Sequence, residues 1–163
     1  MGMKLYEDLV FIEMCEKAVE IQATKGFLAV GDYWCWASLP ERVYQVKIEP
    51  IVMEDRRIKR RNYKIWLPTQ SDMDGMIDEQ SPHKSAMRFS AFANPARHVS
   101  MQKAHFVEDE NGYLDLVPDP EVMNQAELDY PKQFTSTEQL KLAFVYKQNY
   151  NKVWVDGDWR ELE

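Results

Sequence analysis

Cysteine, histidine and glycine are scarce in this chain: two, three and six among 163 residues. The two cysteines, Cys15 and Cys35, have no Cys-x-x-Cys spacing, so neither a metal knuckle nor a redox pair is encoded. They read as small buried apolar residues in a reducing cytoplasm, a disulfide between them being the lesser alternative. The glycines form no Gly-x-Gly-x-x-Gly or Walker pattern, and no Gly-x-Ser-x-Gly or His-Glu-x-x-His occurs. No recognised phosphate loop, nucleophile elbow or zinc helix is therefore present, and no cofactor is expected. Runs of the roughly 18 apolar residues that a membrane helix needs are also missing. The N-terminus shows no charged region followed by an apolar stretch and a cleavage site. The sequence predicts a cytoplasmic protein without a membrane partner.

What is present is globular in kind. Apolar residues make up 45% and aromatics 12%, with five Trp and eight Tyr, enough for one core and one domain over 1–163. The net charge of −7 is unevenly spread: residues 1–104 carry 15 basic and 14 acidic side chains, residues 105–163 carry 5 and 13. Such a protein repels nucleic acid at long range unless it concentrates cations locally, and its acidic C-terminal third suits a basic partner.

Leu5, Leu9, Ile12, Cys15, Val19 and Gln22 recur at helical spacing, with Val10, Phe11, Met14 and Ile21 broadening the face, predicting a first helix over about 5–24 with Glu7, Glu13, Glu16, Lys17 and Glu20 facing water. Lys25-Gly26 then ends it, the glycine in left-handed geometry. Gly31-Asp32 precedes a strand of Tyr33, Trp34, Cys35 and Trp36; Val43–Glu49 alternates as a second, Ile51–Met53 resumes it, and Tyr63–Leu67 makes a third. Pro68 and a polar run introduce a short helix within 68–79, interrupted by Gly75. Breakers at Ser81-Pro82, Asn94-Pro95 and Pro118-Asp-Pro120 make 80–130 a loop-rich stretch, with Asn111-Gly112 marking a hairpin. Thr135-x-x-Glu138 and Ser136-x-x-Gln139 are two registers of a capping box before an apolar helix containing Leu140–Val145. Asp156-Gly157 between Val153-Trp-Val and Trp159 is a strong hairpin signal. The predicted fold is α+β, with N- and C-terminal helices packed on a mainly antiparallel sheet and a C-terminal β-hairpin.

Three groups of residues are candidates for a site. Arg56, Arg57, Lys59, Arg60 and Arg61 place five cations in six positions ahead of Tyr63 and Trp66, a pattern able to hold phosphates while rings stack on bases. The plainer reading is a solvated turn. Tyr33, Trp34, Trp36 and Trp66 are candidates for a small-ligand pocket, or simply for core. His98 and His105, with Asp109 or Glu110, are weak metal candidates because zinc ligands are usually more tightly spaced. A small hydrolase or metalloenzyme built on them is a further alternative.

Trp66-Leu-Pro-Thr-Gln-Ser-Asp-Met-Asp-Gly-Met-Ile77 and the tail from Phe134 through Lys152-Val-Trp154 to Asp156, Gly157 and Trp159 resemble a family of small uncharacterised prophage proteins. Cys15–Gln22 and Gly31-Asp32-Tyr33 are similar too, so the resemblance covers about half the chain. Thr69 and Met73 depart from the family's usual basic residue and leucine. The resemblance implies a phage-derived accessory protein in the cytoplasm of a Gram-positive-type bacterium. It brings no activity, cofactor or catalytic residue. The leading expectation is a non-enzymatic module binding a phage or host protein, with nucleic-acid binding and homo-oligomerisation as alternatives.

Overall fold

The computed structural model describes residues 8–53, 62–77, 82–95, 104–108, 114–118 and 125–162. They fall into two compact units, one of residues 1–78 with 136–163 and one of residues 79–135.

The first unit opens with α1 (Leu9–Lys17) and α2 (Val19–Thr24). The predicted single helix is broken at Ala18, whose ψ of 60° leaves the helical region. Alanine is the best helix former, so the break follows from packing rather than local propensity. Of the predicted apolar face, Phe11, Ile12, Met14, Cys15, Ile21 and Gln22 are buried together with Ala18, whereas Leu9, Val10 and Val19 are exposed. Asp8 sets the start. Its carboxylate accepts the Phe11 amide at 2.9 Å, and it also takes the Ser136 hydroxyl at 2.5 Å and the Gln139 side-chain amide at 2.7 Å.

After α2 the chain does not use Gly26 as a left-handed stop; among the described residues the glycines with positive φ are Gly31 and Gly157. Lys25 instead closes the helix in extended conformation and reaches Asp32 at 2.8 Å. Strand β1 (Phe27–Leu28) pairs with β4 (Ile51–Val52), and β2 (Tyr33–Trp36) lies between β3 (Leu39–Gln45) and β5 (Lys64–Leu67), all antiparallel. Gly31 at φ 100° makes the turn into β2 that Gly31-Asp32 predicts. The second predicted strand begins earlier and ends earlier than its alternation suggested. Cys35 and Ile65, opposite one another, are fully buried with Leu67 on the side packed by α1.

The free edge of β5 is not left open. Gln22 donates its amide to the Trp66 carbonyl at 2.8 Å and accepts the Trp66 N–H at 2.9 Å, doing for that residue what a neighbouring strand's backbone would do. Helix α3 (Gln70–Gly75) then follows, capped by Thr69 in a reciprocal box with Asp72, and Gly75 is its last residue rather than an interruption.

The other half of this unit is the tail. Helix α6 (Thr137–Tyr150) takes the Ser136 register of the two predicted caps, the hydroxyl oxygen accepting the Gln139 amide at 3.2 Å. Six consecutive residues, Lys141 to Tyr146, are buried, because α1, α3 and the terminal hairpin all pack on this helix. Lys141 is neutralised by Asp74 of α3. Asn151 ends the helix in the left-handed region, φ 53°. Strands β8 (Lys152–Val155) and β9 (Asp158–Glu161) then meet across Asp156 and Gly157, at φ 52° and 77°, the two positive values that a type I′ turn requires. The α+β class and the closing hairpin are thus as the sequence predicts.

In the second unit, Pro82–Ala93 forms helix α4, within a stretch that reads from sequence as loop. Pro82 is at its first position, where a missing N–H costs nothing. Strands β6 (Ala104–Glu108) and β7 (Leu114–Pro118) pair antiparallel on either side of the Asn111-Gly112 signal, which itself lies outside the described residues. Helix α5 (Gln125–Asp129) leads into a 3-10 turn, Tyr130–Gln133. Tyr130 contacts Phe92 and Phe134 edge-on, at 5.8 and 5.2 Å between centroids.

Removing the Asp8 carboxylate deletes the α1 cap and leaves Ser136 and Gln139 without their acceptor. Asp8→Ala is expected to lose about 2–3 kcal/mol. Urea unfolding checks it as a lower midpoint at an unchanged slope.

Candidate functional site

Two groups of polar and aromatic side chains stand out in the first unit. The first is an open cleft of about 510 Å³ lined by Glu16, Lys17, Val19, Glu20, Tyr63, Lys152, Asp158 and Trp159. Glu20 is its centre. It accepts the Tyr146 hydroxyl at 2.7 Å and forms an ion pair with Lys152, joining α2 to α6 and β8. Glu16 accepts the Tyr63 hydroxyl. Lys17 lies between Glu13, at 2.8 Å, and the Gly157 carbonyl at the hairpin turn. Trp159 stacks on Tyr146 at 4.0 Å and donates its indole N–H to the Met14 carbonyl at 3.1 Å.

These contacts drive the groups away from neutral pH. Burial pushes the Glu20 carboxyl up, but hydrogen bonds from Lys152 and Tyr146 outweigh it and hold the group below its ordinary range. The same bond raises the Lys152 ammonium above its usual value. Burial, then the Glu20 carboxylate, raises the Tyr146 phenol well above its ordinary value. A general acid or base needs a pKa near the working pH. Glu20, Lys152 and Tyr146 are all shifted away from it, and their mutual bonds tie α2 to α6 and β8.

The second group is the face of the β3-β2-β5 sheet turned away from α1. Side chains alternate along a strand. Tyr33 therefore shares Cys35's side, and the predicted pocket of Tyr33, Trp34, Trp36 and Trp66 is divided between two faces. Trp34 meets Trp36 edge-on at 5.3 Å and stacks on Tyr44 at 5.0 Å. Lys64 stands 4.9 Å from the centre of Trp36, and Lys25 stands 4.0 Å from that of Trp66. Trp34 and Trp66 are largely buried, while Tyr44 is 40% exposed. The Trp66 indole N–H is buried without a hydrogen-bond acceptor.

Of the other candidates, Arg56, Arg57, Lys59, Arg60 and Arg61 lie outside the described residues, as do His98, Asp109 and Glu110. His105 is on β6 opposite Val117. Among the described residues no three His, Cys, Asp or Glu side chains gather as a metal site would require. Nor is any described helix long and apolar enough to cross a membrane. Cys15 and Cys35 are both buried thiols outside any disulfide, and burial pushes the Cys35 thiol up to about 12, with Glu16 and Glu41 adding to it. Comparison with protein-family models, with curated proteins and with solved structures gives no match.

Sequence reasoning placed Glu16 and Glu20 in water and missed their partners. The signal is faint, since Glu20 and Lys152 are 132 positions apart. Tyr44 and Lys64 joined the tryptophans only once the register was known.

Glu20 titrates below its unfolded value, so its contribution is present above the ordinary carboxylate range and is lost as pH falls through the lowered value. Glu20→Gln is expected to be less stable than the native chain by about 1–3 kcal/mol at pH 7. The gap should close on acidification below about pH 4; thermal melts across pH check it. For the thiols, Ellman's reagent should find neither Cys15 nor Cys35 in the native protein and both after unfolding in denaturant.

Proposed function

We propose that this chain is a non-enzymatic, phage-derived accessory protein of the bacterial cytoplasm that acts by docking on another protein. The observation that carries the reading is an apolar ribbon left outside the core. Phe27 and Val52 face one another across β1 and β4 and are 57% and 71% exposed. Ile48, at 85%, and Val30, at 56%, lie in the segments that continue this ribbon toward β2 and β3. Single exposed apolar residues are ordinary, but a cross-strand pair of them with further exposed apolar residues in the adjoining segments marks a contact surface. With a net charge of −7, the chain favours a partner that rings its own apolar patch with Lys and Arg.

The phage origin rests on the resemblance of the tail and of Trp66–Ile77. Both ribbon side chains can be changed without opening the core. Phe27→Ser with Val52→Thr should leave the melting temperature within a few degrees of the native value. In crosslinking from induced host cells, the double variant should lose the proteins that the native chain captures. Capture of the same proteins by both forms would contradict the proposal.

A further inference from the structure

We infer that the open edge of β3 pairs with the same edge of a second copy of this chain, joining the β3-β2-β5 sheets of the two copies about a two-fold axis at Tyr44. The direction of the ladder bonds shows which backbone groups are left over. Ala37 donates its N–H to the Tyr63 carbonyl, so by alternation Cys35 and Tyr33 also bond toward β5, and Trp34 bonds toward Tyr44 on β3. The Val46 N–H, given to the Asp32 carbonyl at 2.9 Å, sets Tyr44 in the same sense. Val43 and Gln45 therefore turn their N–H and C=O away from β2, and neither finds a backbone partner on that side among the described residues. The far edge of the sheet is closed, because Gln22 takes both groups of Trp66 on β5. An edge left unpaired is a template for another strand.

The occupant follows from the register. Pro40 has no N–H, and the β2–β3 register shifts over the residues beside it, so the first half of β3 offers no regular ladder. An antiparallel copy placed about Tyr44 sets Val43 opposite Gln45 and Gln45 opposite Val43. Each pair exchanges both N–H···O bonds, which satisfies the outward groups of both copies at once. An axis at Val43 would instead demand Glu41, which lies in the irregular stretch. Tyr44 then meets its own counterpart at a non-hydrogen-bonded position, where side chains approach most closely. It is 40% exposed and stacks at 5.0 Å on Trp34, which is paired with Trp66 across β2 and β5, so the two copies carry one row of rings across the joined sheet. Charge agrees with this axis. Glu41 and Lys47 are exposed, have no ion-pair partner among the described residues, and stand three positions either side of Tyr44. Each copy thus brings its lysine to the end where the other has its glutamate. The edge shares no residue with the apolar ribbon, so either reading can fail without the other.

Sedimentation equilibrium of the native chain should show a weight-average mass rising toward twice the monomer's across micromolar to millimolar concentration. Tyr44→Lys sets like charges opposite one another and should weaken association by about 10-fold or more. Val43→Pro removes an outward N–H without touching the ladder to β2 and should also favour the monomer. Tyr44→Cys supplies a readout that does not depend on loss of binding. Under mild oxidation it should form a disulfide-linked dimer, because opposed Cα atoms at such a position lie about 4.5 Å apart. Gln45→Cys should not, since its two copies are offset along the strands, and the native Cys15 and Cys35 are buried. A native chain that stays monomeric at millimolar concentration would overturn the inference. A dimer that survives both Tyr44→Lys and Val43→Pro would do so too, as would one abolished by Phe27→Ser with Val52→Thr, since the ribbon would then be the interface. Equal crosslinking through Tyr44→Cys and Gln45→Cys would overturn the register and the axis with it.

Discussion

One carboxylate, that of Asp8, begins both ends of the first unit. It caps α1 through the Phe11 amide and, from the same two oxygens, takes the hydroxyl of Ser136 and the side-chain amide of Gln139. Ser136 is itself the cap of α6, so the start of one helix orients the start of another 128 residues further on. Because Asp8 is buried, none of these donors has water as an easy substitute. Further along, Glu20 repeats the device with Tyr146 and Lys152, and Gln22 carries it to the sheet through Trp66. Three polar side chains on or beside the N-terminal helix pair thus fasten α6, the terminal hairpin and β5. Apolar contacts fill the space between these bonds, with Phe11, Met14 and Cys15 meeting a core that includes Leu142, Phe144 and Tyr146.

The functional reading follows from where polarity has been used up. The cleft around Glu20 holds carboxylates, a phenol and an ammonium, the usual materials of acid-base chemistry, yet they are paired with one another and shifted away from neutrality. Chemical interest moves to surfaces whose composition the core does not explain. One is the ribbon of Phe27 and Val52, apolar and exposed. Another is the sheet face of Trp34, Trp36, Tyr44 and Trp66, where Lys64 lies against the rings.

Much of the local structure was legible because it depends on neighbours in sequence. Asp156-Gly157 specifies its turn by two positive φ values, and Gly31-Asp32 and Thr69 act within a few residues. The capping box was legible only as two registers; Asp8 supports Ser136, and Asp8 lies at the other end of the chain. The bend at Ala18 carries no proline or glycine to announce it. Helix α4 was hidden by the breakers at Ser81-Pro82 and Asn94-Pro95, which bound it rather than disrupt it. Site residues were hardest. The tryptophans were visible, but alternation set Tyr33 apart from them and cross-strand pairing brought in Tyr44 and Lys64, an outcome that depends on strand register.

If Asp8 and Glu20 make one cooperative body from the two ends of the chain, α1 and α6 must open together. Native-state hydrogen exchange measures this directly. The amides of Phe11–Cys15 and Leu142–Tyr146 should share one opening free energy and one dependence on denaturant, equal to those of global unfolding. Exchange of the α1 amides at a clearly lower free energy, with α6 still protected, would contradict the account.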